Sequence, residues 1–231
     1  MVLKRSTEAT AAGVVGAVLG TLAGLPVGMP AIGAVVAGAN GLISGWRRIY
    51  PWEKKAGLSG FLLDSTWGLV GVTGGLVVHG LQAVLPSARY RPDLSERSGA
   101  HVYEGGFAWH PKFTVTTGNV ISNAGSHHGV DLSTPQGLRT WQFLQDHEML
   151  HVWQGRWFGP LMPLVYGVWG LLAPLWAVKV WRKEKRDLWQ LVVTAAYYNN
   201  PFETWAYRKD GYWPPAGADS RLAWKVKGRV R

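Results

Sequence analysis

A chain of 231 residues has room for one large or two small domains, and its 47% hydrophobic and 12% aromatic content excludes a disordered tail protein. Fourteen tryptophans point to a surface where one end of the ring is wet and the other sits in an apolar phase. A formal charge of +10 asks for an acidic partner, nucleic acid or the anionic face of a bilayer, and the lack of cysteine excludes disulfides, thiolate metal sites and cysteine nucleophiles.

Residues 11–45 carry no charged side chain, and Gly13, Gly16, Gly20, Gly24 and Gly28 recur every three or four positions. That spacing lines them along one helix face, the small-residue stripe by which membrane helices approach closely or form oligomers. As one helix the run would measure about 52 Å, against a hydrocarbon core of roughly 30 Å. Pro26 and Pro30 bracket a break, so the expected form is a tight hairpin of two Gly/Ala-rich helices. A secretory signal is the competing reading, since Lys4 and Arg5 precede the run and Ala37-Gly38-Ala39 resembles a cleavage site. The apolar region is far longer than a signal core, which disfavours it.

A basic, aromatic connector follows at residues 46–55, and then a second apolar run at 56–86 interrupted by Asp64. A carboxylate within lipid is expensive and marks function, whereas one near the end of a run reaches the interface; the second reading is preferred. Residues 87–137 are more polar. Two β-branched stretches, 113–117 and 119–122, meet at Gly118 and predict a bent strand or hairpin. A helix is expected from Thr134-Pro135, with Phe143, His147, His151, Gln154 and Phe158 on one face. The third apolar stretch, 158–180, is broken by Pro160, Pro163, Gly167, Gly170 and Pro174. Lys179, Arg182, Lys183, Lys185 and Arg186 then arrive together, ahead of a helical segment at 187–198 and a basic C-terminal tail.

His147-Glu148-Met149-Leu150-His151 is an H-E-x-x-H pattern. Histidines at i and i+4 on a helix present both imidazoles to one zinc ion, and the glutamate beside the first can act as general base toward the hydrolytic water. A catalytic zinc needs a third protein ligand. Glu203 is the candidate, although Asn200-Pro201-Phe202-Glu203 also reads as a helix cap in which that carboxylate turns back to the backbone.

H-E-x-x-H-x-x-Q from His147 to Gln154, preceded by Thr117-Gly118-Asn119-Val120-Ile121 and followed by N-P-F-E-x-x-A from Asn200 to Ala206, resembles the compact gluzincin-type zinc metallopeptidase domains of bacteria. The resemblance covers roughly residues 100–210. It implies an edge strand beside the cleft, a first helix supplying His147, His151 and the base Glu148, and a later helix supplying Glu203 as ligand. Soluble members lack the two N-terminal apolar runs and the apolar insertion between the helices. Tyr197, Tyr198, Tyr207 and Arg208 lie close to Glu203 in sequence and offer transition-state stabilisers, with Tyr198, Tyr207 and Arg208 the candidates carried forward. His127 and His128 sit in a loop before the motif as substitute ligands or surface residues. His101 and His110 offer a weaker second metal site.

If 158–180 crossed the bilayer, His151 and Glu203 would lie on opposite sides, because 187–198 is too short to cross back. A re-entrant or interfacial hairpin is therefore expected there. The fold expected is mainly α with a small β-element, a minimal zincin-like core plus Gly/Ala-rich membrane helices. It divides into a membrane-associated region at 1–86, a zincin-like domain at 87–210 and a basic tail at 211–231. The function expected is a membrane-associated, zinc-dependent hydrolase acting on a peptide or protein, with its domain on the cytoplasmic face beside anionic lipid and no nucleic-acid partner. The alternative is a non-catalytic membrane or oligomerising protein with a structural or relic metal site.

Overall fold

The computed structural model describes residues 4–109, 113–125, 130–211, 213–215 and 217–225. It is mostly helical with a small sheet, and the chain divides into two compact units, Met1–Pro160 and Leu161–Arg231.

The first unit opens with the expected hairpin. Helix α1 (Arg5–Gly24) ends in a 3-10 turn at Leu25–Val27, Gly28 supplies the left-handed φ of +72°, and α2 (Pro30–Arg47) returns with Pro30 in its first turn. The buried face of α1 is Glu8, Ala9, Ala12, Gly13, Gly16, Gly20 and Gly24; that of α2 includes Gly33, Ala37, Gly38, Gly41 and Gly45. The two stripes face each other so closely that a Cβ on Gly16 would sit 2.5 Å from the Ala37 carbonyl oxygen. Small residues therefore point inward and large ones outward: Val14, Val18, Leu22, Ile32 and Val35 are all exposed. This pattern is inverted relative to a water-soluble pair and suits an apolar solvent.

Helices α3 (Lys55–Asp64) and α4 (Leu69–Val84) follow, bent by 86° at their junction. Strand β1 (Arg89–Tyr90), the short helix α5 (Pro92–Ser95), and strands β2 (His101–Glu104), β3 (Val115–Thr117) and β4 (Val120–Ser122) come next. Among the described residues they form one four-stranded sheet in the order β1-β2-β4-β3, with β2 and β4 parallel. The expected hairpin is β3–β4: Thr117 pairs with Val120 across Gly118, whose φ of +57° permits the turn. Helix α6 (Pro135–Phe158) is capped by the Thr134 hydroxyl accepting from the Gly137 amide. It buries Leu144 and Val152 against Val102 and Ile121 of the sheet, and this core orients the H-E-x-x-H face.

Asp64 does not reach the interface as expected. It is 2% exposed and holds Arg156 of α6 through two hydrogen bonds, Nε to Oδ1 at 2.9 Å and Nη2 to Oδ2 at 2.7 Å. Tyr50 also donates to it, at 2.7 Å. A buried carboxylate is tolerable here because it is paired and hydrogen-bonded at both oxygens.

In the second unit the 158–180 stretch is not a bent hairpin. From Leu161 to Glu184 it is a single helix, α7, carrying Pro174 inside it. Pro163 falls in the first turn, where no intrahelical donor is lost, so the prolines are less disruptive than their number implies. The fold-back comes later, at 185–187. Helix α8 (Leu188–Val193), capped by Asp187, and a π-helical turn at Thr194–Tyr198 run back along α7, with the Trp169 indole donating to the Ala195 carbonyl at 2.9 Å. Helix α9 (Pro201–Lys209) then starts from an Asn200 cap. Glu203 thereby returns to Tyr166, near the beginning of α7: within this unit the return leg, not 187–198 alone, retraces the helix.

Among the described residues two helical segments are long and apolar enough to cross a membrane, Arg5–Val27 and Leu161–Glu184, both with mean hydropathy 1.7. The bent pair α3–α4 is a third if it counts as one span.

Candidate metal centre

Helix periodicity sets the two imidazoles of α6 side by side. The Nε2 atoms of His147 and His151 are 3.3 Å apart, and both residues are buried. Two nitrogens on one tetrahedral zinc, each at 2.0–2.1 Å, would be about 3.3 Å apart. The second nitrogen of His151 is held by Gln154 on the same helix, Nδ1 to Oε1 at 2.8 Å. The Gln154 oxygen can only accept, so Nδ1 carries the proton and Nε2 presents its lone pair, which is the outer-shell arrangement of a histidine that ligates metal. Phe143, one turn earlier, stacks on the His147 ring at 5.2 Å between centroids.

Glu148 is buried beside this pair, and its Oε2 accepts a 2.7 Å hydrogen bond from the Thr116 hydroxyl of β3. Edge strand and motif helix are thereby tied together at the carboxylate.

Glu203 lies in the first turn of α9 and is also buried. The cap reading is resolved in part: the Asn200 side chain accepts from the Phe202 amide, while Glu203 Oε1 accepts from the Tyr166 hydroxyl at 3.1 Å. Tyr166 stacks on Phe202 at 5.3 Å, fixing its direction. His147, His151 and Glu203 are a buried group that could hold a metal ion. Two imidazoles and one carboxylate are the kind of protein donor set that a hydrolytic zinc uses.

The other candidates fare differently. Tyr198 is buried, and its hydroxyl pKa is raised, first by burial and then by the charge of Glu203, so it stays a proton donor. Tyr207 is half-buried with its ring 5.9 Å from that of Tyr198, and Arg208 is exposed. His101 is fully buried elsewhere, against His79 at 4.5 Å between rings and with Nε2 3.0 Å from the Ser44 hydroxyl. Burial, followed by the charges of His79, Arg47 and Arg156, lowers its pKa well below the usual value. His110, the partner expected for it, and His127 and His128 lie outside the described residues. Sequence reasoning assigned no role to Thr116, Tyr166 or the Gln154 amide. Gln154 stood in the quoted motif, and its i+3 spacing from His151 was the available signal.

Compared with known protein families, curated proteins and solved structures, the chain matches none.

Proposed function

We propose that this protein is a membrane-associated, zinc-dependent hydrolase of the metallopeptidase type, with His147, His151 and Glu203 as ligands and Glu148 as general base. The observation that carries the reading is the 3.3 Å spacing of the two histidine Nε2 atoms, with Gln154 holding His151 in the tautomer that ligates. Zinc in such a donor set supplies a Lewis acid for a scissile carbonyl and a water of lowered pKa. Glu148 takes the proton of the attacking water on the oxygen that Thr116 leaves available and passes it to the leaving amine as the C–N bond breaks. Tyr166 orients the Glu203 carboxylate, and Tyr198, whose hydroxyl feels the charge of Glu203, is the candidate donor to a tetrahedral oxyanion. A peptide or protein substrate would extend the sheet along β3, which has a neighbouring strand on one side only among the described residues. The unit stands on the cytoplasmic face, where the basic connector meets anionic lipid.

A bracing metal site without catalysis makes a different demand on Glu148, and the test turns on that. Glu148→Gln should retain zinc and thermal stability while hydrolysis of a cleaved peptide falls by about 10² to 10⁴. Zinc content, melting temperature and turnover of both proteins are measured side by side in bilayer discs. A wild type that cleaves nothing in a broad peptide library, or a variant of equal turnover, overturns the hydrolase reading.

A further inference from the structure

Within the first unit, a groove of about 690 Å³ runs between α1 and α3, away from the histidine pair. Val15 and Leu19 line it on one side, Leu58 and Leu62 on the other, and three of these four are about half exposed: Val15 49%, Leu58 57%, Leu62 50%. Its other end is polar. There the buried Glu8 carboxylate accepts from the Trp52 indole at 2.6 Å and from Arg97 at 2.8 Å. We propose that this groove holds one acyl chain of an anionic bilayer phospholipid, with the phosphodiester at Lys54 and Lys55; the inference rests on membrane association and not on the metal site.

Dimensions argue for a lipid chain. From Glu8 to Leu19 the axis of α1 covers about 16 Å, half of the roughly 30 Å hydrocarbon core and so the depth of one leaflet. The polar end carries Trp52, a residue type that settles at the headgroup level, and the apolar end continues into the outward face of a helix with the length and hydropathy to span. Charge argues for the headgroup. Glu8 at the mouth is matched by Arg97 and Arg48, and next to Glu53, which lines the groove, the exposed Lys54 and Lys55 stand just outside it and leave that end with a net positive charge. The first turn of α3 contains no acidic residue, and Lys54 at its cap makes no side-chain hydrogen bond to it, so the positive end of the helix faces the same place.

The experiment labels the detergent-purified protein with phosphatidylglycerol bearing a photoactivatable diazirine on its acyl chain, and maps adducts by peptide mass spectrometry. Adducts should concentrate on residues 8–19 and 52–62, exceeding those on the outward face of α7. Val15→Trp, which fills the groove, should cut them at least fivefold with no change on α7. The charge reversals Lys54→Glu and Lys55→Glu should bring labelling down to the level of phosphatidylcholine. Labelling spread evenly over all apolar helix faces, or equal for the two lipids in the wild type, overturns the proposal. Loss of the membrane reading shows separately, as protein recovered in the soluble fraction before any labelling; loss of the groove shows as uniform labelling of a membrane-bound protein.

Discussion

At the scale of single residues, the centre rests on side chains that hold other side chains. Gln154 fixes the proton on His151 Nδ1, and an outer-shell partner of this kind typically contributes 10- to 100-fold to metal affinity. Gln154→Leu should therefore weaken zinc binding by that factor while the helix still forms, read by competition with a chromogenic chelator; unchanged affinity would remove Gln154 from the site. The histidine pair and its base were legible in the sequence because the i, i+4 rule is local to one helix. Thr116 was not, since its bond to Glu148 spans 32 positions and depends on where β3 docks. Tyr166 was hidden for the same reason: it sits in an apolar helix and meets Glu203 only after the chain has turned back.

Elements show how far composition predicts packing. The glycine stripes of α1 and α2 were visible as spacing, and they are consumed within the chain, so a homo-oligomer would have to use another face. Gly16→Leu should destabilise by at least about 1–3 kcal/mol, the usual cost of overpacking, because its side chain would collide with the Ala37 backbone. Val18→Leu on the outward face should change little, and equal melting temperatures for the two variants in one detergent would contradict the packing. Asp64 makes a second test. Asp64→Ala leaves Arg156 buried without its carboxylate, which should cost about 3–5 kcal/mol, and Asp64→Leu combined with Arg156→Met should recover much of it. A single variant as stable as the wild type would show that the pair does not tie α3 to the motif helix.

For the whole molecule the decisive property is its solvent. Large apolar side chains point outward on α1, α2, α4 and α7, and the α1–α2 hairpin brings Glu8 back beside Arg48 at 3.6 Å, so the chain leaves it on the side where it entered. The protein should fractionate with membranes, resist a high-salt wash and require detergent, as expected of helices about as long as the hydrocarbon core is thick. Recovery as a soluble monomer after that wash would refute it.

The sequence by itself determined what is periodic or local: the α1–α2 hairpin, the Thr134 cap, the turn at Gly118, the paired histidines of α6, and the segments apolar enough for a bilayer. These follow from spacing and backbone chemistry within a few residues. Only the tertiary structure decided that Asp64 is paired and not interfacial, that α7 is one helix whose turn lies at 185–187, and that the Glu203 carboxylate is engaged by Tyr166. Each of these depends on partners tens of residues away, and a buried charge or a proline takes its meaning from the groups that surround it, not from its neighbours in the chain.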